Sequence, residues 1–220
     1  MQYYPIFLDL RAHPCVVIGG GTVAERKVES LLQARARVTV ISPTCTPRLR
    51  SWAAERVIVL YQRPYHFGDL RGFSVAFAAT NDETLHEKIA AEAREAGVLL
   101  NVVDRPALCS FIVPAVVSRG DLTLAISTGG ASPALAKKIR KTLEQHFGPE
   151  YDLALRLLAR VRERVTREGL SSDGRQQLFT ALTDSPLLDY LRERQVDKLN
   201  ALLQETVGKN CTLEELGLSL

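Results

Sequence analysis

An apolar run that stops at three glycines and passes at once into a helical pattern constrains the fold of this chain more than any other feature. The run ends at residue 18, Gly19–Gly21 follow, and apolar residues from Ala24 onward recur at helical spacing. Strand, tight turn and helix in this order open a parallel α/β unit. Gly19 permits the turn, Gly21 lets backbone N–H groups approach an anion without a Cβ in the way, and Ala24 keeps the helix close to the strand.

The spacing of these residues is the G-x-G-x-x-A pattern of turns that hold the pyrophosphate of a dinucleotide, and a tight βα connection without a ligand is the alternative. The second strand, residues 38–41, ends in Ser42, Pro43 and Thr44. NAD-binding domains often carry an acidic residue there for the ribose hydroxyls, which this chain lacks. It also lacks an arginine for a 2′-phosphate, so the sequence favours NAD over NADP.

Three more apolar runs, at residues 57–61, 74–79 and 98–103, alternate with helical patterns. Together with the first two strands they predict a Rossmann-like, doubly wound parallel sheet. Ligands of such sheets bind at the carboxyl ends of the strands. The residues expected there, beside the glycine turn, are Ser42, Thr80, Asn81 and Asp104.

The alternation of strands and helices ends after residue 106. Residues 111–117 and 122–127 flank a polar tetrapeptide and predict a β-hairpin outside the sheet. A second glycine-rich turn follows, and we expect Ser132 to cap the next helix and Pro133 to open it. That helix is basic, which suits either a solvated surface or a polyanionic ligand. Its basic residues are Lys137, Lys138, Arg140 and Lys141.

From residue 151 onward, apolar residues at helical spacing predict a small helical bundle. We expect Ser171–Gly174 to separate two of its helices and the stripe from Val196 to Val207 to be buried. The sequence thus predicts a Rossmann domain over residues 1–113, a hairpin-and-helix segment over 114–149 and a helical domain over 150–220.

Composition and motif content exclude several classes of protein. A formal net charge of +3 over 220 residues is too small to indicate a nucleic-acid-binding protein, although it would suit a polyanionic small molecule if the excess were concentrated at one place. No segment has the length and hydropathy of a membrane span, and the N-terminus lacks the basic start of a secretion signal. The four cysteines are scattered and the histidines lack ligand spacing, so neither a disulfide framework nor a resident metal is expected. We therefore expect a cytoplasmic protein without nucleic-acid or membrane partners.

Five motifs occur in order along the chain: YPIFLDL at residues 4–10, VIGGGTVAERK at 17–27, AATND at 78–82, NVVD at 101–104 and STGGASPALA at 127–136. In this combination the chain resembles the precorrin-2 dehydrogenase family, which forms the dehydrogenase and ferrochelatase part of siroheme synthases. The resemblance runs from the N-terminus to the end of the basic helix. Two positions depart from the family pattern: Arg35 stands where a glycine often closes the first helix, and Thr128 stands where serine is frequent.

The resemblance implies NAD-dependent oxidation of precorrin-2 to sirohydrochlorin in siroheme biosynthesis, with Asp104 as the acid/base residue. Capping of the loop through Arg105 and Pro106 is the other interpretation of Asp104. The family also implies a homodimer formed through the central segment, and some members insert Fe²⁺ into sirohydrochlorin as a second reaction. A non-catalytic, NAD-sensing regulatory module is the competing function.

Sequence and resemblance together nominate two sets of site residues. The set expected to bind NAD comprises Gly19, Gly20, Gly21, Thr22, Val23, Ser42, Pro43, Thr44, Thr80 and Asn81. The set expected to bind the tetrapyrrole comprises Asn101, Arg105, Ser127, Thr128, Gly129, Gly130 and Lys137. No metal-ligating residue is expected.

Overall fold

A computed structural model describes residues 3–219, and in it the chain divides into two units between Val113 and Pro114. The elements of the first unit are β1 (Pro14–Ile18), α1 (Thr22–Gln33), β2 (Arg37–Ile41), α2 (Pro47–Ala54), β3 (Val59–Tyr61), β4 (Val75–Ala78), α3 (Glu83–Ala96) and β5 (Leu99–Val102). The five strands form one parallel sheet in the order β3-β2-β1-β4-β5. This order confirms the Rossmann-like, doubly wound sheet.

The two faces of this sheet have separate apolar cores. On one face, α1 and α2 cover Val17, Val40 and Phe77. On the other face, α3 covers Ile18 and Ala76. Because alternate residues of a strand point to opposite faces, the continuous apolar runs of the sequence supply both cores.

The boundaries of α3 follow from side-chain and backbone chemistry. Asp82 caps its N-terminus by accepting a hydrogen bond from the Leu85 N–H at 2.9 Å. Gly97 ends it with φ +67°, a left-handed conformation that glycine adopts without steric cost. One predicted boundary is wrong, since β3 begins at Val59 rather than at Val57. The Val57 N–H bonds to the Trp52 carbonyl at 2.8 Å, which ties that residue to the end of α2.

The second unit contains a β-hairpin and five helices within its described part, residues 114–219. Its elements are β6 (Ala115–Arg119), β7 (Leu122–Ile126), α4 (Pro133–His146), α5 (Glu150–Arg167), α6 (Ser172–Asp184), α7 (Leu187–Arg192) and α8 (Val196–Thr206). The predicted start of α4 is confirmed, because Ser132 accepts a hydrogen bond from the Leu135 N–H at 3.2 Å and Pro133 is the first helical residue. The hairpin packs within this unit against α4 and α5.

The first hairpin strand lies later in the chain than predicted. It spans Ala115–Arg119 instead of residues 111–117, and its partner pairs Leu122 with Arg119 across a two-residue turn. Phe111 instead packs edge-on against Phe77 in the first unit, with ring centres 5.6 Å apart. Because Phe111 packs on the core of the first sheet, it is not part of the hairpin.

Buried leucines hold α5–α8 together, and two details of the predicted bundle are wrong. Residues 172–174 belong to α6, because the Ser171 hydroxyl accepts from the Gly174 N–H at 3.1 Å and so caps the helix at the first residue of the predicted break. Val196 is 44% exposed at the start of α8, whereas Leu199 and Leu203 of the same stripe are fully buried. No helix within residues 3–219 has the length and apolar character needed to cross a membrane.

Candidate functional site

The carboxyl ends of the parallel strands meet at one edge of the sheet, and predicted site residues follow four of them. Gly19 follows β1, Ser42 follows β2, and Thr80 and Asp104 follow β4 and β5 by two residues each. β1 pairs with both β2 and β4, so the strand order reverses beside the glycine turn. Ligands of open α/β sheets bind in the crevice at such a reversal.

Two of the three glycines are required by the protein's own packing. Gly19 has φ +119°, and a Cβ there would lie 2.2 Å from the backbone oxygen of Ala79. A Cβ on Gly20 would lie 2.0 Å from the backbone oxygen of Thr44. The Gly20 carbonyl also accepts a hydrogen bond from the Thr46 N–H at 2.9 Å. The turn is therefore locked against the loop that follows β2.

The third glycine is not required by packing. Gly21 is the N-cap residue of α1, with φ −81° and ψ −175°, which any residue can adopt. A Cβ added to it would meet no atom of residues 3–219 within 4 Å. The open position leaves room for a ligand beside the first N–H groups of α1, where the helix favours negative charge. Thr22 is exposed and Val23 half-buried just behind it, so the turn fits an anionic group such as a dinucleotide pyrophosphate.

The loop after β2 is ordered by hydrogen bonds of small side chains and backbone. Ser42 is 5% exposed, and its hydroxyl donates to the Thr44 carbonyl at 2.7 Å. The Arg50 guanidinium donates to the Cys45 carbonyl at 2.5 Å. Pro43 and Thr44 are exposed. Residues 42–44 therefore offer a ribose backbone groups and a hydroxyl rather than a carboxylate.

Thr80 and Asn81 lie between β4 and α3. The Thr80 hydroxyl is 3.0 Å from Nε2 of His86 and accepts a hydrogen bond from the Asp82 N–H at 3.3 Å. Asn81 is exposed. Sequence reasoning considers His86 only as a metal ligand and misses this contact, although its three-residue spacing from buried Ile89 signals the inner face of α3.

Asp104 occupies a turn after β5 with φ +59°, a left-handed conformation that is uncommon outside glycine, asparagine and aspartate. Its side chain is exposed, and within residues 3–219 its carboxylate makes neither a hydrogen bond nor an ion pair. The capping interpretation is therefore wrong, because the turn is closed by the Arg105 N–H and the Val102 carbonyl, 3.3 Å apart. A carboxylate with all its lone pairs free is suited to accept a proton.

Lys27 is a neighbour of this site that sequence reasoning misses. It lies on the side of α1 that faces the sheet, with Nζ 5.3 Å from the centre of the Phe77 ring. Burial, followed by the charge of Arg26, lowers the pKa of Lys27, whereas the charge of Asp104 acts in the opposite direction. The available signal is its spacing of three residues from Ala24, which marks the same helix face.

Two of the predicted substrate-binding residues in the first unit already have protein partners. Asn101 is half-buried and its Nδ2 donates to the Phe111 carbonyl at 3.1 Å, which holds that segment against β5. The Arg105 guanidinium pairs with Glu87 at 3.0 Å and with Glu83 at 3.3 Å. Arg105 would have to exchange these partners to reach a ligand carboxylate.

The other predicted substrate-binding residues lie in the second unit, in the turn between β7 and α4. The Thr128 hydroxyl accepts from the Ser132 N–H at 3.1 Å, and the Ser127 hydroxyl accepts from the Gly129 N–H at 3.0 Å. Gly129 and Gly130 are exposed, with φ of +62° and +88°. Serine at position 128 could make the same hydrogen bond as Thr128. Lys137 follows on the exposed surface of α4.

The described part of the chain, residues 3–219, contains no group of three or more His, Cys, Asp or Glu side chains placed to hold a metal ion. The four cysteines are free thiols, and burial raises the pKa of Cys15 to about 11. Burial also raises the pKa of Cys45 and Cys211, so these three buried thiols are protonated packing residues near neutral pH.

Two family models match the chain in succession. A family described as NAD(P)-binding matches residues 6–115, and a family described as the central part of a sirohaem biosynthesis protein matches residues 119–146. The first match spans the glycine turn and the sheet, and the second spans the hairpin turn and α4.

The similar proteins are siroheme synthases and a precorrin-2 dehydrogenase of known structure. The siroheme synthase of Nitrosococcus oceani is 42% identical over 170 residues, which is 76% of this chain and 36% of that protein. The siroheme synthase of Methylococcus capsulatus is 36% identical over 205 residues, which is 93% of this chain and 43% of that protein. The chain thus spans about two fifths of the length of these curated relatives. The solved structure of SirC, a precorrin-2 dehydrogenase, matches with a TM-score of 0.75 and 28% identity over 93% of this chain and 98% of that one.

Proposed function

The chain belongs to the family of precorrin-2 dehydrogenases and the matching part of siroheme synthases, and from this premise we propose that it oxidises precorrin-2 to sirohydrochlorin with NAD as the hydride acceptor. The observation that carries the proposal is the Asp104 carboxylate, which has no partner among residues 3–219 and lies at the same sheet edge as a glycine turn whose third glycine is not required by packing.

The cofactor residues are the glycine turn and the loops beside it. The first N–H groups of α1, exposed beside Gly21, are donors for the pyrophosphate. Residues 42–44 and Thr80 lie at the neighbouring strand ends, where the ribose hydroxyls need partners. NAD, when bound, supplies the capacity to accept a hydride from carbon.

Asp104 takes the proton that leaves the substrate. Loss of a hydride and a proton from adjacent atoms forms the new double bond, so one oriented base beside the cofactor is the minimum that the protein must add. The Asp104 carboxylate needs no partner exchange before it accepts that proton, because it accepts no hydrogen bond from residues 3–219. The ammonium of Lys27 is a positive charge close enough to interact with this carboxylate, since the charge of Asp104 acts to raise the pKa of Lys27 against the effect of burial.

The competing function, a regulatory module that only senses NAD, has less support. Such a module needs the glycine turn but has no use for a free carboxylate beside it. The left-handed backbone of Asp104 does not separate the two functions, because Ala12, Arg35, Arg56 and Arg194 also have positive φ. A dehydrogenase accounts for both the glycine turn and the carboxylate.

The second glycine-rich turn and α4 bind carboxylates of the tetrapyrrole in this proposal. The ammonium groups of Lys137 and Lys138, both exposed on α4, suit an anionic substrate. Ser127, Thr128, Gly129 and Gly130 shape the turn before α4. Asn101 and Arg105 remain proposed substrate residues of the first unit.

The test is an anaerobic assay of precorrin-2 with NAD. We expect the absorbance spectrum of sirohydrochlorin and of NADH to appear together with wild-type protein and to be nearly absent with Asp104→Asn. NAD binding without any turnover of precorrin-2 by the wild type would instead support the sensing module.

Insertion of Fe²⁺ into sirohydrochlorin is a second proposed reaction, slower than the oxidation. The nitrogens of the macrocycle are the final ligands of the iron, so the protein needs only to hold the ring and to accept its N–H protons. Asp104 is the base for this step too. Supplying sirohydrochlorin and Fe²⁺ without NAD tests the idea, and fast chelation that survives Asp104→Asn would contradict it.

We also propose that the protein is a cytoplasmic homodimer that pairs through the second unit. The hairpin packs against α4 and α5, and apolar side chains of β6 and α4 nevertheless remain exposed. Val116 is 40% exposed, Leu135 49% and Ile139 36%. Four free thiols suit a reducing compartment. Sedimentation that shows only monomer across the micromolar range would contradict the dimer.

A further inference from the structure

His86 is a buried histidine whose two ring nitrogens lie in different surroundings. It is the fourth residue of α3, is 4% exposed, and lies on the buried face of the helix. Its Nε2 is 3.0 Å from the Thr80 hydroxyl. Its Nδ1 is buried and has no hydrogen-bond partner among residues 3–219. The two nitrogens therefore have different environments.

This difference selects one tautomer of the neutral ring. A neutral imidazole carries a proton on one nitrogen only, and the other nitrogen is an acceptor. A proton on Nδ1 would leave a buried N–H donor unpaired, which is the rarer and less tolerated kind of orphan. A proton on Nε2 leaves only an acceptor unpaired and donates a hydrogen bond to Thr80.

The tautomer decides what the Thr80 hydroxyl can do. A hydroxyl has two lone pairs and one hydrogen. With Nε2–H of His86 and the Asp82 N–H both donating to it, at 3.0 and 3.3 Å, both lone pairs are engaged. The hydroxyl can therefore only donate its hydrogen to a further partner. Thr80 is half-buried at the carboxyl end of β4.

We propose that His86 is a positioning residue that makes the Thr80 hydroxyl an obligate donor toward an acceptor oxygen of the bound dinucleotide. The inference rests on the proposed function, because it takes NAD as the ligand at this edge of the sheet. It adds to that function a residue which acts through Thr80 and does not itself reach the ligand. A merely structural role of His86 predicts no dependence on Thr80.

A double-mutant cycle on NAD affinity separates the two roles. Thr80→Val, which replaces the hydroxyl by a methyl group, should weaken NAD binding about tenfold, and Thr80→Ser should weaken it little. His86→Phe should weaken binding about threefold to tenfold in the wild-type background and not at all beside Thr80→Val. His86→Gln, whose amide nitrogen can take the place of Nε2, should restore most of the affinity. Equal losses from His86→Phe in both backgrounds, or wild-type affinity of Thr80→Val, would overturn the proposal.

The tautomer itself can be read in the wild-type protein without NAD. The long-range ¹H–¹⁵N spectrum of the His86 ring should show the Nε2–H form, and the Nδ1–H form would overturn the assignment even if His86→Phe does not fold. Failure of the wild type to bind NAD would contradict the proposed function and the ligand named here. The ring spectrum would in that case still decide the hydrogen bond to Thr80.

Discussion

The two glycine-rich turns of this chain are alike in sequence and differ in what holds them. In the first, a Cβ on Gly19 or Gly20 would collide with backbone oxygen atoms about 2 Å away. In the second, an added Cβ on Gly129 or Gly130 meets no atom of the described residues within 4 Å, and hydroxyl groups of Ser127 and Thr128 shape the loop. The conformation of the first turn is fixed by close packing against neighbouring backbone, and that of the second by hydrogen bonds to its own side chains.

The difference bears on the part that each turn plays. A turn fixed by packing presents its N–H groups in one arrangement, which lowers the entropy lost when a ligand binds. A turn with open surroundings can adjust to a substrate of irregular shape. We therefore assign the first turn to the rigid pyrophosphate of NAD and the second to the carboxylates of the tetrapyrrole.

The largest effect is expected where the first turn meets the core. Gly20→Ala should destabilise the protein by about 3 kcal/mol or more, because the backbone oxygen of Thr44 has to move. Gly130→Ala is the matched change in the second turn and should cost only about 1–2 kcal/mol, for its left-handed φ of +88°. Urea midpoints measure both. Equal losses would remove the distinction between the turns.

The next effect separates chemistry in the first unit from binding in the second. Asp104→Asn keeps the size of the side chain and should lower kcat for precorrin-2 oxidation about 10²- to 10⁴-fold. Its Kd for NAD should not change. A variant that loses NAD affinity and keeps kcat would place Asp104 in cofactor binding instead of proton transfer.

Lys137→Ala tests whether the second turn and α4 bind the substrate. Removal of its ammonium should raise KM for precorrin-2 about tenfold with little change in kcat, since a charge that binds substrate and transition state equally affects KM alone. Lys209→Ala removes a lysine outside α4 and serves as the control. A lower kcat with unchanged KM would contradict a binding role.

The smallest effect concerns the hydroxyl that shapes the second turn. Thr128→Val removes the acceptor of the Ser132 N–H and should cost about 1 kcal/mol of stability. Thr128→Ser keeps the hydroxyl and should match the wild type in thermal unfolding. If Thr128→Val is as stable as Thr128→Ser, this hydrogen bond does not hold the turn.

The fold could be predicted from the sequence where its signals are local. The glycine spacing predicts the turn after β1, and Ser132 with Pro133 predicts the start of α4. Both predictions are possible because caps and turns depend on neighbours within four residues. The hairpin strand was misplaced because Phe111 packs on Phe77, a contact between residues far apart in the sequence. Patterns of neighbouring residues in the sequence do not predict such a contact.

The site was predictable to a smaller extent for the same reason. The strand ends indicate which residues share the edge of the sheet, and Asp104 is among them. Arg105 pairs with two acidic residues while the carboxylate of Asp104 has no partner within the described residues, and this difference depends on the packing of α3 beside β5. The hydrogen bond between His86 and Thr80 likewise requires the tertiary structure, although helical spacing already marks His86 as buried.

The assignment of the first turn to NAD is tested most directly by calorimetric titration of NAD into the wild type and Gly21→Asp, with thermal unfolding of both. Aspartate is a favoured N-cap residue and its Cβ would meet no atom of residues 3–219 within 4 Å, so the variant should be at least as stable as the wild type. Its carboxylate would stand where the pyrophosphate binds, and we expect the affinity for NAD to fall about 100-fold or more. Equal affinity of the two proteins for NAD would contradict the assignment.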